Sequence, residues 1–261
     1  MPSKRKNNQH RRVTDALLIF KMKNISIFAG LIFVVALCLV SCGGSSKSDA
    51  NVPIEFCDEL VKLAEDGNAE AQYNLACCYL EGKSVEKNEA KAISLLKESA
   101  EQGYSEAQND LGLLYEHGLG NLKQDNVKAF SLYKKAAEQG NRKGQGNLAK
   151  CYIKGIGVEP NPTEAVRLYT KLAEQGEPEA QLSLGVSYME GIGVEKNEDK
   201  AVQLFRKSAE QGYAPAQFNM GMCYARGRGV SMDKAEAIRW FRQAAEQGDE
   251  RAIQALSILQ Q

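Results

Sequence analysis

The chain has 261 residues, of which 43% are apolar, and its 33 basic side chains are balanced by 33 acidic ones. A neutral chain lacks the basic field that nucleic-acid binding requires, so nucleic acid is not expected as a partner. Only two histidines are present, His10 and His117. They leave little for histidine-based catalysis or a histidine metal site, and we expect neither a cofactor nor a metal.

The first element in chain order is a targeting signal. Residues 1–24 are rich in Lys, Arg and Asn, and residues 25–40 are nearly all apolar. A basic flank followed by an apolar run of about 7–15 residues is typical of a secretory signal, whereas a membrane-spanning helix needs about 20. The residues Leu39–Cys42 resemble the bacterial lipobox, which implies that Cys42 becomes a lipidated N-terminus. The alternative is an uncleaved signal anchor in which this cysteine occurs by chance.

This signal divides the N-terminal part of the chain. Residues 1–41 are assigned to the basic region and the lipoprotein signal peptide, and residues 42–54, which include a Gly/Ser-rich run, to a flexible tether. Met22 is an alternative translation start, because Met22–Cys42 alone would form a complete signal. By resemblance to lipoproteins of Gram-negative bacteria, Gly43 after the cysteine favours the outer membrane. A lipid-anchored protein of the bacterial cell envelope is therefore expected.

Residues 55–261 contain an internal repeat. The tetrapeptide AEQG, or once AEDG, ends at glycines that are 36 or 37 residues apart, at positions 67, 103, 140, 176, 212 and 248. A period of this length indicates stacked supersecondary units. Positions that align between units are called columns below.

Each unit is predicted to contain two helices. The first helix runs about 13 residues to a glycine at position 82, 118, 155, 191 or 227. The second helix begins after an Asn or Asp, a preferred N-cap residue. These N-cap residues are Asn88, Asp125, Asn161, Asn197 and Asp233. The AEQG motif then closes the second helix, and its glycine adopts the left-handed conformation that ends a helix.

Small and aromatic columns complete the pattern. Alanine recurs near the start of both helices, at Ala71 and Ala92 in the first unit, where it lets neighbouring helices approach closely. A tyrosine column, beginning at Tyr79, supplies a large ring and a hydroxyl that needs a partner. The G-x-G-V loops, such as 155–158, resemble phosphate cradles, but a helix rather than a strand precedes them, so a dinucleotide site is not expected.

Together these features resemble the Sel1-like repeat, a relative of the tetratricopeptide repeat. The residues 181–194 are a near-complete match. The resemblance implies an all-α fold, an α/α right-handed superhelical solenoid of helical hairpins. Two units depart from it, because Lys83-Ser84 replaces the second loop glycine and Gly144 replaces alanine after a loop at 120–125 with one extra residue. The predicted units are a solitary helix at 55–66, repeats at 69–104, 105–141, 142–177, 178–213 and 214–249, and a capping helix at 250–261.

The terminal helices are expected to be more polar on their outer sides, as a soluble solenoid requires. Cysteines Cys78, Cys151 and Cys223 share one column and are expected to be buried as small apolar residues. Cys57 and Cys78 are equidistant from the turn that centres on Gly67-Asn68, so a disulfide between them is one interpretation and simple core packing is the other. A disulfide closing a loop of about 20 residues would contribute roughly 3 kcal/mol.

Recognition is expected on the concave face, which the first helices line in superhelical stacks. Two columns that vary between units lie four residues apart and so form one stripe along each helix. The stripe residues predicted to bind a partner are Tyr73, Asn109, Leu113, Lys150, Leu182, Val186, Phe218 and Met222. The stripe is apolar for an exposed face, which favours a protein or peptide ligand; the alternative is that neighbouring helices partly bury it.

The resemblance implies a non-enzymatic scaffold or adaptor, since Sel1-like proteins generally act in complex assembly and related tasks. Two alternatives share the fold: a penicillin-binding or weakly β-lactamase-like hydrolase, and an immunity lipoprotein that masks a toxin. Ser94–Lys97 and Ser131–Lys134 have the S-x-x-K spelling, but no K-T-G or S-D-N element accompanies them. A recurring surface pair at helical spacing explains them more simply.

Overall fold

The computed structural model describes residues 58–82 and 84–259, and every regular element in these residues is an α-helix. The predicted signal, the lipidated Cys42, the tether and Cys57 lie outside the described residues, and with Cys57 the predicted disulfide. The helices are α1 Asp58–Glu65, α2 Ala69–Glu81, α3 Glu89–Glu101, α4 Ser105–His117, α5 Asn126–Glu138, α6 Arg142–Lys154, α7 Pro162–Glu174, α8 Pro178–Glu190, α9 Glu198–Glu210, α10 Ala214–Arg226, α11 Lys234–Glu246 and α12 Glu250–Leu259.

These helices form five complete units between two single helices. The even-numbered helices α2–α10 are the first helices of the units, the odd-numbered helices α3–α11 are the second, and each packs against its neighbours in sequence. Helix α1 has the position of a second helix and α12 that of a first helix. The prediction of an α/α repeat solenoid is therefore confirmed.

The helix ends follow the predicted caps. In each second helix the Asn or Asp side chain accepts a hydrogen bond from a backbone N–H of the first turn. Each first helix of a complete unit ends at a glycine with φ between 63° and 71°. The AEQG glycines have φ between 84° and 93°. The tetrapeptide therefore ends a helix.

The loop within each unit is closed by a backbone hydrogen bond to the tyrosine column. The N–H of the second helix's N-cap residue donates to the tyrosine carbonyl, over 2.9 Å from Asn88 to Tyr79 and 2.8–3.0 Å in the other units. The Lys91 ammonium, on the second helix of the same unit, lies 5.3 Å from the Tyr79 ring. The tyrosines therefore join the two helices of their own unit. Tyr224 also contacts the preceding unit, because the Arg206 guanidinium on α9 donates to its hydroxyl over 2.9 Å.

Small residues allow the helices to cross closely. The alanine column of the second helices, beginning at Ala92, is 0% exposed in every unit. A glycine within the first helix faces a buried ring on the second helix: a Cβ added at Gly185 would lie 2.6 Å from the Phe205 ring, and one at Gly112 2.7 Å from the Tyr133 ring. A larger residue would therefore separate the two helices of the unit.

The second loop glycine makes a contact between units. A Cβ added at Gly157 would collide with the backbone carbonyl of Asn126 in the preceding unit, and equivalent collisions occur at Gly193 and Gly229. The G-x-G-V loop is thus filled by the neighbouring helix rather than open to a phosphate. Where the first unit lacks this glycine, Ser84 adopts the same left-handed conformation with φ 58°. The first unit therefore has the same backbone turn as the others, although serine replaces glycine in it.

The two ends are less polar than expected. Leu63 of α1 is 44% exposed, and Ile253 and Ile258 of α12 are 51% and 69% exposed. No helix among the described residues is long and apolar enough to cross a membrane.

Candidate partner-binding face

The first helices form one side of the stack, which we call the first-helix face. Six of the eight residues predicted to bind a partner are partly exposed on it. They are Leu113, Lys150, Leu182, Val186, Phe218 and Met222. The other two do not reach the surface: Tyr73 is 2% exposed and Asn109 is 1% exposed. The prediction that these two contact a partner is therefore corrected, and partial burial by neighbouring helices holds for this end of the stripe.

Tyr73 and Asn109 are buried because they belong to a polar network. The Tyr73 hydroxyl donates to one carboxylate oxygen of Asp110 over 3.0 Å, and the Asn109 amide donates to the other over 2.9 Å. The Asn109 carbonyl oxygen accepts from the Asn147 amide over 2.9 Å. These bonds connect α2, α4 and α6, and the network therefore holds three consecutive units together.

Asp110 lies at the centre of this network. Burial raises the pKa of its carboxyl group above the usual value, although the hydrogen bonds from Asn109 and Tyr73 and the nearby positive charge of Lys143 oppose that rise. A desolvated carboxylate needs such donors to stay ionised. The first three units are thus joined by groups that are costly to separate from one another.

Part of the variation along the stripe follows packing rather than recognition. Gly146 has no side chain, and a Cβ added there would lie 4.0 Å from Cδ1 of Leu172 on the unit's second helix. In the first unit the same two columns hold the large Tyr73 and the small Ser99, and Ser99 is 0% exposed. A bulky residue on one helix is therefore matched by a small one on the other.

Four of the six partly exposed stripe residues are apolar side chains of α8 and α10, which we call the apolar patch. Its members are Leu182, Val186, Phe218 and Met222. Each also packs against the core below it. The Phe218 ring lies 5.5 Å from Phe241 on its own second helix, and the Arg251 guanidinium lies 4.5 Å above it. The patch is thus anchored from beneath and remains partly open above.

Charged side chains flank the apolar patch. The Lys150 ammonium on α6 lies 2.8 Å from a carboxylate oxygen of Glu179 on α8, and both side chains are about half exposed, at 41% and 58%. An exposed ion pair of this kind stabilises the fold little, by at most about 1 kcal/mol. It can therefore exchange its partner for a charged group of a ligand at small cost.

Sequence reasoning missed a set of glutamine pairs that connects the units. The amide of Gln72 donates to the Ala64 carbonyl of the preceding second helix over 3.3 Å. Its oxygen accepts from Gln102, the glutamine of AEQG, over 2.7 Å. The same two bonds recur in the second, fourth and fifth units. The glutamines of both columns recur with the 36-residue period of the sequence. Paired members lie about thirty residues apart, and only the fold shows that they are in contact.

The third unit interrupts this series. The amide of Gln145 donates to the Ala137 carbonyl over 3.3 Å, but its buried oxygen Oε1 has no hydrogen-bond partner. An unsatisfied buried oxygen costs about 1–3 kcal/mol. The third unit, which also carries Gly144 and Gly146, is therefore expected to be the least stable of the five.

The residues of the two S-x-x-K pairs lie at least partly at the surface, and two buried cysteines are unreactive at neutral pH. Ser94 is exposed and its hydroxyl donates to Glu98 over 3.2 Å, while Ser131 and Lys134 are also exposed. Burial raises the pKa of the Cys151 thiol to about 12 and that of Cys223 to about 11, so neither is a thiolate at neutral pH. No group of three His, Cys, Asp or Glu residues in the described part of the chain could hold a metal ion.

The structure is a stack of helical pairs in which recurring residues make the contacts within and between units. Its irregular residues lie on a face that is partly open. This arrangement is typical of α/α repeat solenoids. The Sel1 repeat model matches the chain five times, at residues 69–104, 105–141, 143–177, 178–213 and 214–249. The chain belongs to the Sel1 repeat family. Proteins of this family generally act as protein-interaction scaffolds.

Two solved structures are similar over most of this chain. A Sel1 repeat protein from Oxalobacter formigenes is 32% identical with a TM-score of 0.70, and the match covers 76% of this chain and 85% of that one. A protective antigen of uropathogenic Escherichia coli strains, described as displaying an SLR fold, is 36% identical with a TM-score of 0.71. That match covers 80% of this chain and 44% of the antigen, so this chain spans less than half of its length. Among the curated proteins, none matches the sequence.

Proposed function

We propose that this protein is a non-enzymatic interaction scaffold of the bacterial cell envelope that binds a peptide or protein on its first-helix face. The recurring residues are occupied by contacts within and between units, as the glutamine pairs and the glycine–ring contacts show. They are therefore not available for a ligand. Recognition falls to the irregular residues of the first helices.

The observation that carries this proposal is the apolar patch of α8 and α10. Four apolar side chains of α8 and α10 are partly exposed. The core beneath holds them in place, and the Phe241 ring supports Phe218. Preorganised apolar side chains lose little conformational entropy on binding. The charged pair Lys150–Glu179 lies at the edge, where a polar rim surrounds a typical interface.

The binding proposal is tested with the double variant Val186→Lys, Met222→Lys in a cross-linking pull-down from the native envelope. A lysine at a half-buried position can extend its charged end into water, so the fold should tolerate both changes. The charges make the patch unable to receive an apolar group, and we expect capture of wild-type partners to fall by about tenfold or more.

The matched control is Val127→Lys on α5. Val127 is 66% exposed and lies outside the first-helix face. Its substitution adds one exposed lysine to the same fold and should leave the captured proteins unchanged. An unchanged set of captured proteins with the double variant would remove the apolar patch as the binding surface.

The envelope anchor is proposed from the sequence pattern around Cys42. The basic flank, the apolar run and the cysteine after Ser41 together support lipid attachment at this residue, with the outer membrane favoured by Gly43. We expect Cys42→Ala to abolish incorporation of a labelled fatty acid and to release the protein from the lipid-anchored fraction. The control is Cys38→Ala, which removes the preceding cysteine of the apolar run and should leave labelling intact. Retained labelling of the Cys42 variant would show that the anchor is elsewhere.

A further inference from the structure

The two ends of the array expose apolar side chains in columns that every complete unit buries. Leu63 of α1 is 44% exposed. In the five complete units the residues of its column are 0–3% exposed: Ser99, Ala136, Leu172, Ser208 and Ala244. Ile253 of α12 is 51% exposed, whereas the glutamines of its column are 3–5% exposed. These two exposures therefore arise because a neighbouring helix is missing from the described residues.

The column of Leu63 shows which helix is missing at the first end. In complete units this column faces the start of the unit's own first helix: the Ser99 hydroxyl donates to the Ala69 carbonyl over 2.6 Å, and Ser208 donates to Pro178 over 2.6 Å. Helix α1 has the position of a second helix, and among the described residues no first helix packs against this side of it. A leucine fits such a contact, because Leu172 in the third unit is 3% exposed.

The column of Ile253 shows the opposite vacancy at the other end. In four of the five complete units the oxygen of the glutamine in this column accepts a hydrogen bond from the glutamine that ends the unit's own second helix, as Gln72 does from Gln102 over 2.7 Å. Among the described residues no second helix packs against this side of α12, where isoleucine replaces the polar glutamine. Leu256, whose column is buried in every complete unit, is also partly exposed. An apolar surface thus lies where a second helix would pack.

We propose that α12 of one molecule packs against α1 of a second copy and so forms a sixth complete helical pair. Each end supplies the type of helix that is missing beside the other end in residues 58–259, and the contact continues the interface already present within every unit. Because the two faces differ, the contact is heterologous and can extend head to tail. One helical pair makes a small interface, and the association is therefore expected to be weak and dependent on concentration.

The test uses the full chain in detergent micelles and measures its mass by sedimentation at increasing protein concentration. We expect the mass of the wild type to rise with concentration. Leu63→Glu removes one face and Ile253→Glu removes the other, so each variant alone should stay monomeric. Mixed together they should form a 1:1 dimer, because one variant retains an intact α12 face and the other an intact α1 face.

The control variant is Val127→Glu, which changes an exposed apolar residue away from both ends and should associate like the wild type. Circular dichroism of each variant checks that its helices are intact. Two results would overturn the proposal: a wild-type mass independent of concentration, as expected if other parts of the same chain cover these faces, or mixed variants that remain monomeric. Association of either single variant alone would also contradict it, since a heterologous contact needs both faces.

Discussion

Replacing Gly157 with alanine is expected to lower the free energy of unfolding by about 2–5 kcal/mol. The left-handed conformation at φ 69° costs an alanine about 1–2 kcal/mol. The added Cβ collides with the backbone carbonyl of Asn126 in the preceding unit, and overpacking of this kind costs a further 1–3 kcal/mol, roughly. Urea unfolding followed by circular dichroism measures the change.

Gly176→Ala is the matched control for this substitution. Gly176 also has a left-handed backbone, with φ 89°, but a Cβ there would meet nothing within 4 Å. Its substitution should therefore show the conformational cost of about 1–2 kcal/mol alone. Equal losses at the two positions would mean that the G-x-G-V loop does not hold adjacent units together.

Phe205→Ala is expected to destabilise the protein by about 3–5 kcal/mol, the usual cost of removing a buried phenylalanine ring. Phe205 is 2% exposed and its ring fills the space left by Gly185 on the facing helix. The cavity would lie between the two helices of the fourth unit. Because repeat arrays propagate stability between neighbouring units, the loss should appear in the unfolding of the whole array.

Val127→Ala serves as the control for Phe205→Ala. Val127 is 66% exposed on the second helix of the second unit, so its truncation should change the free energy of unfolding by no more than about 0.5 kcal/mol. A loss at Phe205 no larger than the loss at Val127 would contradict the assignment of the Phe205 ring to the core.

The helix boundaries were predictable because local chemistry sets them. Asn88 and its equivalents cap second helices with their own side chains, and glycines end both helices with left-handed backbones. Each of these effects depends only on residues within a few positions along the chain. The 36-residue period then fixed the order of the helices without any knowledge of long-range contacts.

The candidate site was less predictable because exposure depends on residues far away in the sequence. Tyr73 and Asn109 share columns with residues that are partly exposed in later units. Their burial accompanies contacts with the next first helix: Tyr73 donates to Asp110 on α4, and Asn109 accepts from Asn147 on α6. In the same way, Gly146 lies opposite Leu172, whereas the large Tyr73 of its column shares a unit with the small Ser99. A column of varied residues therefore has two possible causes: recognition of a partner, or side-chain volumes that compensate for one another between facing helices. Only the folded structure distinguishes these causes.

The ends of the array show the same limit. A polar outer side was expected for α1 and α12 because solenoids require soluble caps. Leu63 and Ile253 are instead exposed apolar residues in otherwise buried columns. Whether these two residues are buried depends on which helix packs against them, and the period of the sequence does not predict that helix.

The most direct test of the division between stacking and recognition is to measure two properties of one purified protein, the Val186→Lys, Met222→Lys variant. Its free energy of unfolding should stay within about 1 kcal/mol of the wild-type value, because both lysines can reach water. Its capture of envelope partners should be lost. Full capture by this stable variant would contradict the account, and so would a loss of capture that appears only together with unfolding.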